Sequence, residues 1–550
     1  MALQATATAA AASASASYLL MRRMIPVKAR GNACFASNNS SAAASQQGPR
    51  AVTGRYQDQA VRPLQNFSPN RWGDRFLTLP FTNSEFESCS SQVELMKKMV
   101  KDMLMSSRDD PIENILLINS LLRLGVSYHF EIEIEEQLSH LFATFSIDSK
   151  DYDLHTVAVV FQVFRSNGYK MSCDVFKKFK NDDGMFKEEL ASNTKGIISL
   201  YEACQWGMHQ EHILDEALTF TTLHLESLSV GRSCPDHLRE YIGNALKFPY
   251  HKGMPRLESK QYISYYENEE SRNHLLLKFA KYDFNRVQML HQKELGLLSR
   301  PNDAYGLYQE LQALKRAVER WHASAVDELP GEYLRNLYEA FLHISDEVEE
   351  AVRKEGRSSS VFYAKQVMKK QVQGYHVEAR WLHENMMPTF GEYLENGIWS
   401  IGAITTVALL MMGMREADED AYRWLLNCDA TILRAMCLLS RLYNDMQSNE
   451  DEEGRGGQIS GITCYMKEHG VSKEEAVEGF RERIKVLWKD VNEGFMETPM
   501  HVPKQILMAA FNVARVSEVC YKYDNGFTKP DTTYKDYITK VLIDPIPLED

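Results

Sequence analysis

Apolar residues in this chain recur at intervals of three and four, and almost never at two. Val93, Met96, Val100 and Met103–Leu104 form one such stripe, and Ile112, Ile115–Leu116, Ile118 and Leu122 form the next. That spacing places each set on one face of a helix. Asp110–Pro111 opens the second stripe as an N-cap followed by a proline at the first helical position. Short polar breaks at 149–151, 180–184 and 192–193 separate further helical stretches, and no strand-like alternation is sustained. Residues 91–249 therefore predict a stack of antiparallel helices with short connections. The cluster Pro249, Gly253 and Pro255 marks the internal boundary, after which the helical pattern resumes. The apolar run from Ile401 to Met412 is shorter than the ~18–20 residues of a membrane span; it reads as a buried helix, with Gly402 permitting a kink. The fold class predicted is all-α.

Composition sharpens this picture. The 550 residues contain 17 Pro and 29 Gly, below the usual shares of roughly 5% and 7%, which favours long helices. A formal net charge of −13 argues against a general nucleic-acid binder, whose affinity comes from basic surface facing phosphate. The nine cysteines are scattered, without a CxxC pair or zinc spacing, and read as reduced thiols. The first acidic residue is Asp58. The segment before it is rich in Ala and Ser and carries Arg22, Arg23, Lys28, Arg30, Arg50 and Arg55. An acid-free, basic, Ser-rich leader over 1–57 has the composition of an organelle transit peptide, with a plastid favoured.

Candidate chemistry is concentrated late in the chain. The carboxylate pairs Asp151/Asp153 and Asp182/Asp183 sit at polar breaks and read as helix caps and turn residues. Asn444, Ser448 and Glu452 differ: they lie at i, i+4 and i+8, on one helical face, because each step of four drifts only about 40°. All three offer oxygen, the donor set of Mg²⁺, which keeps several waters and is completed by substrate phosphates. Arg441, one turn earlier, is placed to pair with the same phosphate. The bland alternative is a solvated helix end, since an acidic run follows to Glu453.

Beyond spacing, the chain resembles the plant terpene synthases over nearly all of its length after the leader. Arg62–Pro63 followed by Trp72 resembles the family's N-terminal strip. Tyr152–Thr156 and Asp174–Phe176 with Phe179–Lys180 resemble its N-terminal helical domain. Gln261–Ile263, Tyr266–Glu267, Ala280–Lys281, Asp283–Asn285 and His291–Leu295 resemble the start of its catalytic domain. Asn444-Asp445-x-x-Ser448-x-x-x-Glu452 is similar to the family's second metal motif in full. The resemblance implies two helical-barrel domains, an N-terminal one over 58–250 and a C-terminal catalytic one over 251–550. It implies Mg²⁺, with Mn²⁺ as an alternative, and a prenyl diphosphate substrate whose diphosphate leaves to give an allylic cation. Arg441, Asp445, Thr405 and Thr406 are its expected substrate contacts, and Tyr521 and Phe527 its pocket aromatics. A monomer without a membrane span is expected. The Arg62–Pro63 form implies farnesyl diphosphate, whereas the leader points to a plastid and geranyl diphosphate.

One departure from the family is large. Its first metal motif, Asp-Asp-x-x-Asp before a Tyr-Gly, is represented before Tyr305–Gly306 by Asp303 alone. The resemblance implies that about two helices, on the order of fifty residues at usual element lengths, are missing between Arg300 and Asp303. Two readings follow. In the first the chain is a terpene synthase, impaired by the loss. In the second it is a non-catalytic truncated paralogue or splice form that binds diphosphate weakly or only interacts with other proteins. The intact Asn444/Ser448/Glu452 set favours the first, and the missing aspartates favour the second.

The leader is open to direct test. Residues 1–60 fused to a fluorescent reporter are expected to direct it into an organelle with cleavage near 50–58. An uncleaved cytosolic reporter would remove the transit assignment.

Overall fold

The computed structural model describes residues 82–147, 150–231, 234–298, 308–453, 459–497, 502–526 and 533–548. The leader, Arg62–Pro63, Trp72, Asp303, Phe527 and the side chain of Glu452 lie outside this set. The N-terminal half comprises helices α1 (Asn83–Ser106), α2 (Pro111–Arg123), α3 (Glu131–Thr144), α4 (Leu154–Ser166), α5 (Thr194–Cys204), α6 (His212–Val230) and α7 (Asp236–Lys247). Then follow α8 (Pro255–Glu267), α9 (His274–Leu298), α10 (Tyr308–Arg320), α11 (Glu332–Arg353), α12 (Ser359–His383), α13 (Phe390–Ser400) and α14 (Ala403–Met412). The chain continues through α15 (Glu419–Asn427), α16 (Thr431–Glu453), α17 (Gly461–His469), α18 (Lys473–Glu497), α19 (Lys504–Tyr521) and α20 (Thr533–Ile538). Among the described residues there is no strand, only one isolated antiparallel bridge between Lys180 and Phe186. The all-α expectation holds.

Local chemistry sets the helix starts. The Asp110 side chain accepts from the Ile112 and Glu113 N–H groups with Pro111 at the first position, and Asp153 caps α4 through Thr156 N–H. Both acids are therefore structural, satisfying the orphan donors of a first turn. The predicted stripe Val93, Met96, Val100 and Leu104 is buried along α1, which packs along α9. The eight described cysteines are free.

The two halves are locked together by buried polar contacts. Asp283 on α9 accepts from Tyr128 Oη at 2.7 Å and Arg286 at 2.8 Å, with His129 Nε2 at 3.0 Å. Burial pulls the Asp283 pKa up, but the His129 hydrogen bond, the His129 and Arg286 charges and the Tyr128 hydroxyl outweigh it and hold the group at about 2. Asn492 on α18 donates to the Gln205 and Gly207 carbonyls at 3.0 and 2.8 Å.

In the C-terminal half α16 is the central helix, packed most extensively on α18 and α19. Glu518 of α19 ties the three together. It accepts from Trp488 Nε1 at 3.0 Å, pairs with Lys522 at 3.1 Å and is hydrogen-bonded by Tyr443.

The apolar region around Gly402 corrects one expectation. The stretch Phe390–Met412 is, by length and composition, long and apolar enough to cross a membrane, although Ile401–Met412 alone is not. The structure breaks it into α13 and α14. Gly402 stands between them at φ 80°, a left-handed conformation that costs an L side chain about 1–2 kcal/mol. More than half of the stretch is buried in the protein core. What reads as a kink in one helix is a full interruption.

The α16–α18 contact yields a prediction. A methyl group on Gly494 of α18 would meet the Ile432 backbone nitrogen at 2.5 Å. Gly494→Ala is expected to lower stability in urea denaturation by about 2 kcal/mol, the scale of overpacking a tight core. An unchanged midpoint would mean that these helices sit further apart.

Candidate active site

Helix α16 carries the site because one of its faces is polar where the rest is core. Ile432, Leu433, Met436, Leu439 and Leu442 are buried among apolar neighbours, while Ser440, Arg441, Asn444, Asp445 and Ser448 are buried polar residues on the same helix. Arg441 Nη2 donates to the carboxylate of Asp445 one turn on and to Asn444 Oδ1. Asp445 is fully buried and also accepts from Tyr393 Oη at 3.0 Å and from the Gly461 N–H at 3.1 Å. That N–H belongs to the first turn of α17, where a helix has orphan donors and favours an anion. Burial pushes the Asp445 carboxyl up; Arg441, Tyr393 and Gly461 pull it back.

Glycines make this approach feasible. A Cβ on Gly397 would stand 3.0 Å from the Arg441 stem, and one on Gly461 would overlap the Asp445 carboxylate. Glu378 of α12 lies on the other side. It accepts from Ser400 Oγ, and its pKa is raised by burial and by Asp445, against the pull of Arg441.

Beside this cluster opens a cavity of about 1240 Å³. Its C-terminal wall is Gly402, Thr406 and Leu410 of the α13–α14 break, Ser440 of α16, and Met508, Val513 and Tyr521 of α19. Cavity and motif meet at Tyr521, which is buried, lines the cavity and is hydrogen-bonded to Asn444. Its hydroxyl is pushed well up, first by burial and then by Cys520. A second cavity, of about 650 Å³ between α1 and α2, is remote from these residues.

The sequence-derived residues separate on this geometry. Arg441, Asn444 and Tyr521 come together through hydrogen bonds to Asn444, and of these Tyr521 lines the cavity; Ser448 is buried one turn further along α16. Thr406 lines it, whereas Thr405 is buried away from its lining. Asp445 faces α13 and α17 and holds Arg441. Helix α16 runs unbroken to Glu453, which puts Glu452 two turns beyond Asn444 in register. Among the described residues no group of three His, Cys, Asp or Glu side chains is placed to hold a metal. Asn444 and Ser448 supply neutral oxygens that suit a hard divalent cation, and the carboxylates Glu452 and Asp303 lie outside the described side chains. Tyr393, Gly397, Ser400, Glu378 and Ser440 escaped sequence reasoning. Tyr393, Gly397 and Ser400 share one face of α13, but that signal is indistinguishable from core packing.

The family model described as "Terpene synthase family, metal binding domain" matches residues 302–490, and "Terpene synthase, N-terminal domain" matches residues 71–246. Hedycaryol synthase of Camellia brevistyla is 38% identical over 545 residues, covering 89% of this chain and 98% of its own length. (-)-Germacrene D synthase of Vitis vinifera is 39% identical over 543 residues, covering 88% and 96%. Since 89% of 550 residues is about 490, some 55 of the 545 aligned positions have no counterpart in this chain. Two solved structures share the fold at 24% identity. Limonene synthase with 2-fluorolinalyl diphosphate has a TM-score of 0.78 and covers 88% of this chain and 99% of its own. Isoprene synthase from grey poplar leaves (Populus x canescens), in complex with three Mg²⁺ ions and dimethylallyl-S-thiolodiphosphate, has a TM-score of 0.74 and covers 85% and 99%.

The buried ion pair sets an expectation for mutagenesis. Asp445→Ala leaves Arg441 as a buried charge without its carboxylate and is expected to cost about 3–5 kcal/mol in chemical denaturation. Arg441→Met with Asp445→Ala is expected to recover part of that loss, because the orphaned charge is gone. Additive effects would show that the two side chains are not coupled.

Proposed function

This chain belongs to the terpene synthase family, lyases acting on prenyl diphosphates, and on that premise we propose that it ionises farnesyl diphosphate, or less readily geranyl diphosphate, with Mg²⁺ at the polar face of α16. The observation that carries the proposal is the junction at Tyr521. On one side its hydroxyl meets Asn444, which also accepts from Arg441, an oxygen donor beside a cation; on the other it lines a cavity walled by Leu410, Met508 and Val513. An anionic head and a hydrocarbon tail fit opposite sides of that junction. The relatives named hedycaryol synthase and (-)-germacrene D synthase support the farnesyl choice, and the grey poplar enzyme with three Mg²⁺ and a thiolodiphosphate supports the metal and the substrate class.

In this reading Asn444, Ser448, Glu452 and Asp303 would hold Mg²⁺, whose charge would stabilise a leaving diphosphate. Arg441 turns its guanidinium from Asn444 to the diphosphate oxygens while Asp445 keeps hold of it, giving a preorganised donor where negative charge develops. The Tyr521 ring faces the allylic cation left behind and stabilises it through its π-face. The apolar wall keeps water from the cation until it has rearranged. Import into a plastid and action as a monomer complete the proposal.

The same reading predicts an impaired enzyme. One Asp in place of three on the far side of the diphosphate removes several kcal/mol of leaving-group stabilisation, and each ~1.4 kcal/mol is tenfold in rate. The unaligned positions, assigned to the Arg300–Asp303 junction, also remove helices that would exclude water. The alternative, a non-catalytic paralogue or splice form, rests on the same absence. Purified chain with Mg²⁺ and farnesyl or geranyl diphosphate, analysed by gas chromatography, is expected to turn over orders of magnitude more slowly than an ordinary enzyme and to give acyclic alcohols over cyclic hydrocarbons. Glu452→Gln is expected to weaken Mg²⁺-dependent diphosphate binding in calorimetry. Cyclic hydrocarbons at ordinary rates would overturn the impairment, and unchanged binding by Glu452→Gln would overturn the metal assignment.

A further inference from the structure

The cavity has a second wall that comes from the other half of the molecule. Helix α3 buries Ile134, Gln137, Leu138 and Leu141 in the N-terminal core. At 100° per residue, Glu131, Ile132, Glu135, Glu136 and Ser139 point the opposite way, and all five line the cavity, which the buried Ile134 also touches. Four of the five are polar, as a solvent-facing helix surface would be. Ile132 breaks that pattern: it is 73% exposed, an apolar side chain on the cavity face with no core to enter.

Helix α3 is fastened in this position. Lys504, in the first turn of α19, reaches across to Glu135 at 3.1 Å and to Asn167 Oδ1 at 3.2 Å, and Tyr169 Oη donates to Glu135 at 2.7 Å. The lining from the C-terminal half is mixed, with Leu410, Met414, Met508, Val513 and Val516 as its apolar part beside Thr406, Gln505 and Asn512. The inner end of the same cavity is Ser440 and Tyr521, next to Asn444. At about 1240 Å³ the space exceeds the roughly 300–1,000 Å³ of ordinary small-molecule pockets, which leaves room for a hydrocarbon chain to extend from the α16 motif to α3.

We propose that α3 of the N-terminal half forms the second wall of the substrate cavity, and that Ile132 is a contact residue for the hydrocarbon tail of a prenyl diphosphate. The inference rests on the reading that α16 binds the diphosphate. An apolar tail extending from Tyr521 meets Ile132 as the exposed apolar group of α3, and covering it removes hydrocarbon from water. Tail recognition in this chain thereby depends on both halves.

The test uses the full chain with Mg²⁺ and two probes in calorimetry: inorganic diphosphate, and the unreactive analogue farnesyl S-thiolodiphosphate. The variants are Ile132→Asp, the conservative Ile132→Leu, and Leu223→Asp as a control at an apolar position on α6 that is 66% exposed and outside the cavity lining. The analogue is expected to bind at least about tenfold more tightly than diphosphate, the scale of partly burying a large apolar side chain. Ile132→Asp is expected to abolish most of that advantage with diphosphate binding unchanged, Ile132→Leu to keep it, and Leu223→Asp to change neither. Diphosphate binding with a tail advantage insensitive to Ile132→Asp would overturn the α3 wall and leave the α16 reading intact. Analogue binding sensitive to Ile132→Asp without any diphosphate binding would uphold the wall and overturn the α16 reading. Binding of neither probe would overturn both.

Discussion

The buried Arg441–Asp445 pair is the constraint on which the candidate site depends. A guanidinium and a carboxylate out of water are costly unless each is fully satisfied. Here Asp445 accepts from Arg441, from the Tyr393 hydroxyl and from the Gly461 N–H. Those three partners belong to α16, α13 and α17, so one carboxylate fixes the relative placement of three helices. Gly397 and Gly461 let backbone approach the pair closely enough to exclude water. With its stem fixed, Arg441 has only its guanidinium to reorient toward an anion, and little conformational entropy remains to be lost when one binds.

A similar logic joins the two halves of the molecule. Asp283 gathers Tyr128, His129 and Arg286, Asn492 reaches two carbonyls of the N-terminal half, and Lys504 bridges to Glu135. These contacts are polar and directional, and several are buried, so they set geometry more than bulk stability. Their consequence is that a helix from the N-terminal half stands against the cavity, where Glu131, Ile132 and Glu135 meet Met508 and Val513 across it. About 55 positions of a relative's length are unmatched in this chain.

Several features were legible in the sequence because their cause is local. The stripe through Val93 and Leu104, the cap at Asp110–Pro111 and the register of Asn444, Ser448 and Glu452 all follow from helical period and side-chain chemistry over a few residues. The all-α class follows from the same period repeated with few breakers. The break at Gly402 was half legible: a glycine in an apolar run signals a kink, but only packing against α16 and α19 decides that the helix stops and restarts.

What tertiary structure alone decided is which way each polar side chain faces. Thr405 and Thr406 are neighbours in sequence, yet one is buried off the cavity and the other lines it. Asp445 sits in the motif beside Asn444 and turns to α13 and α17. Glu378 and Tyr393 face Arg441 and Asp445 of α16 across 48 to 67 residues of chain, a distance at which periodicity carries no information. Ile132 reads as an unremarkable apolar residue until α19 is seen opposite it. Helical period records which residues share a face; only the packed molecule determines what that face meets, because contacts between distant segments depend on the geometry of the whole core.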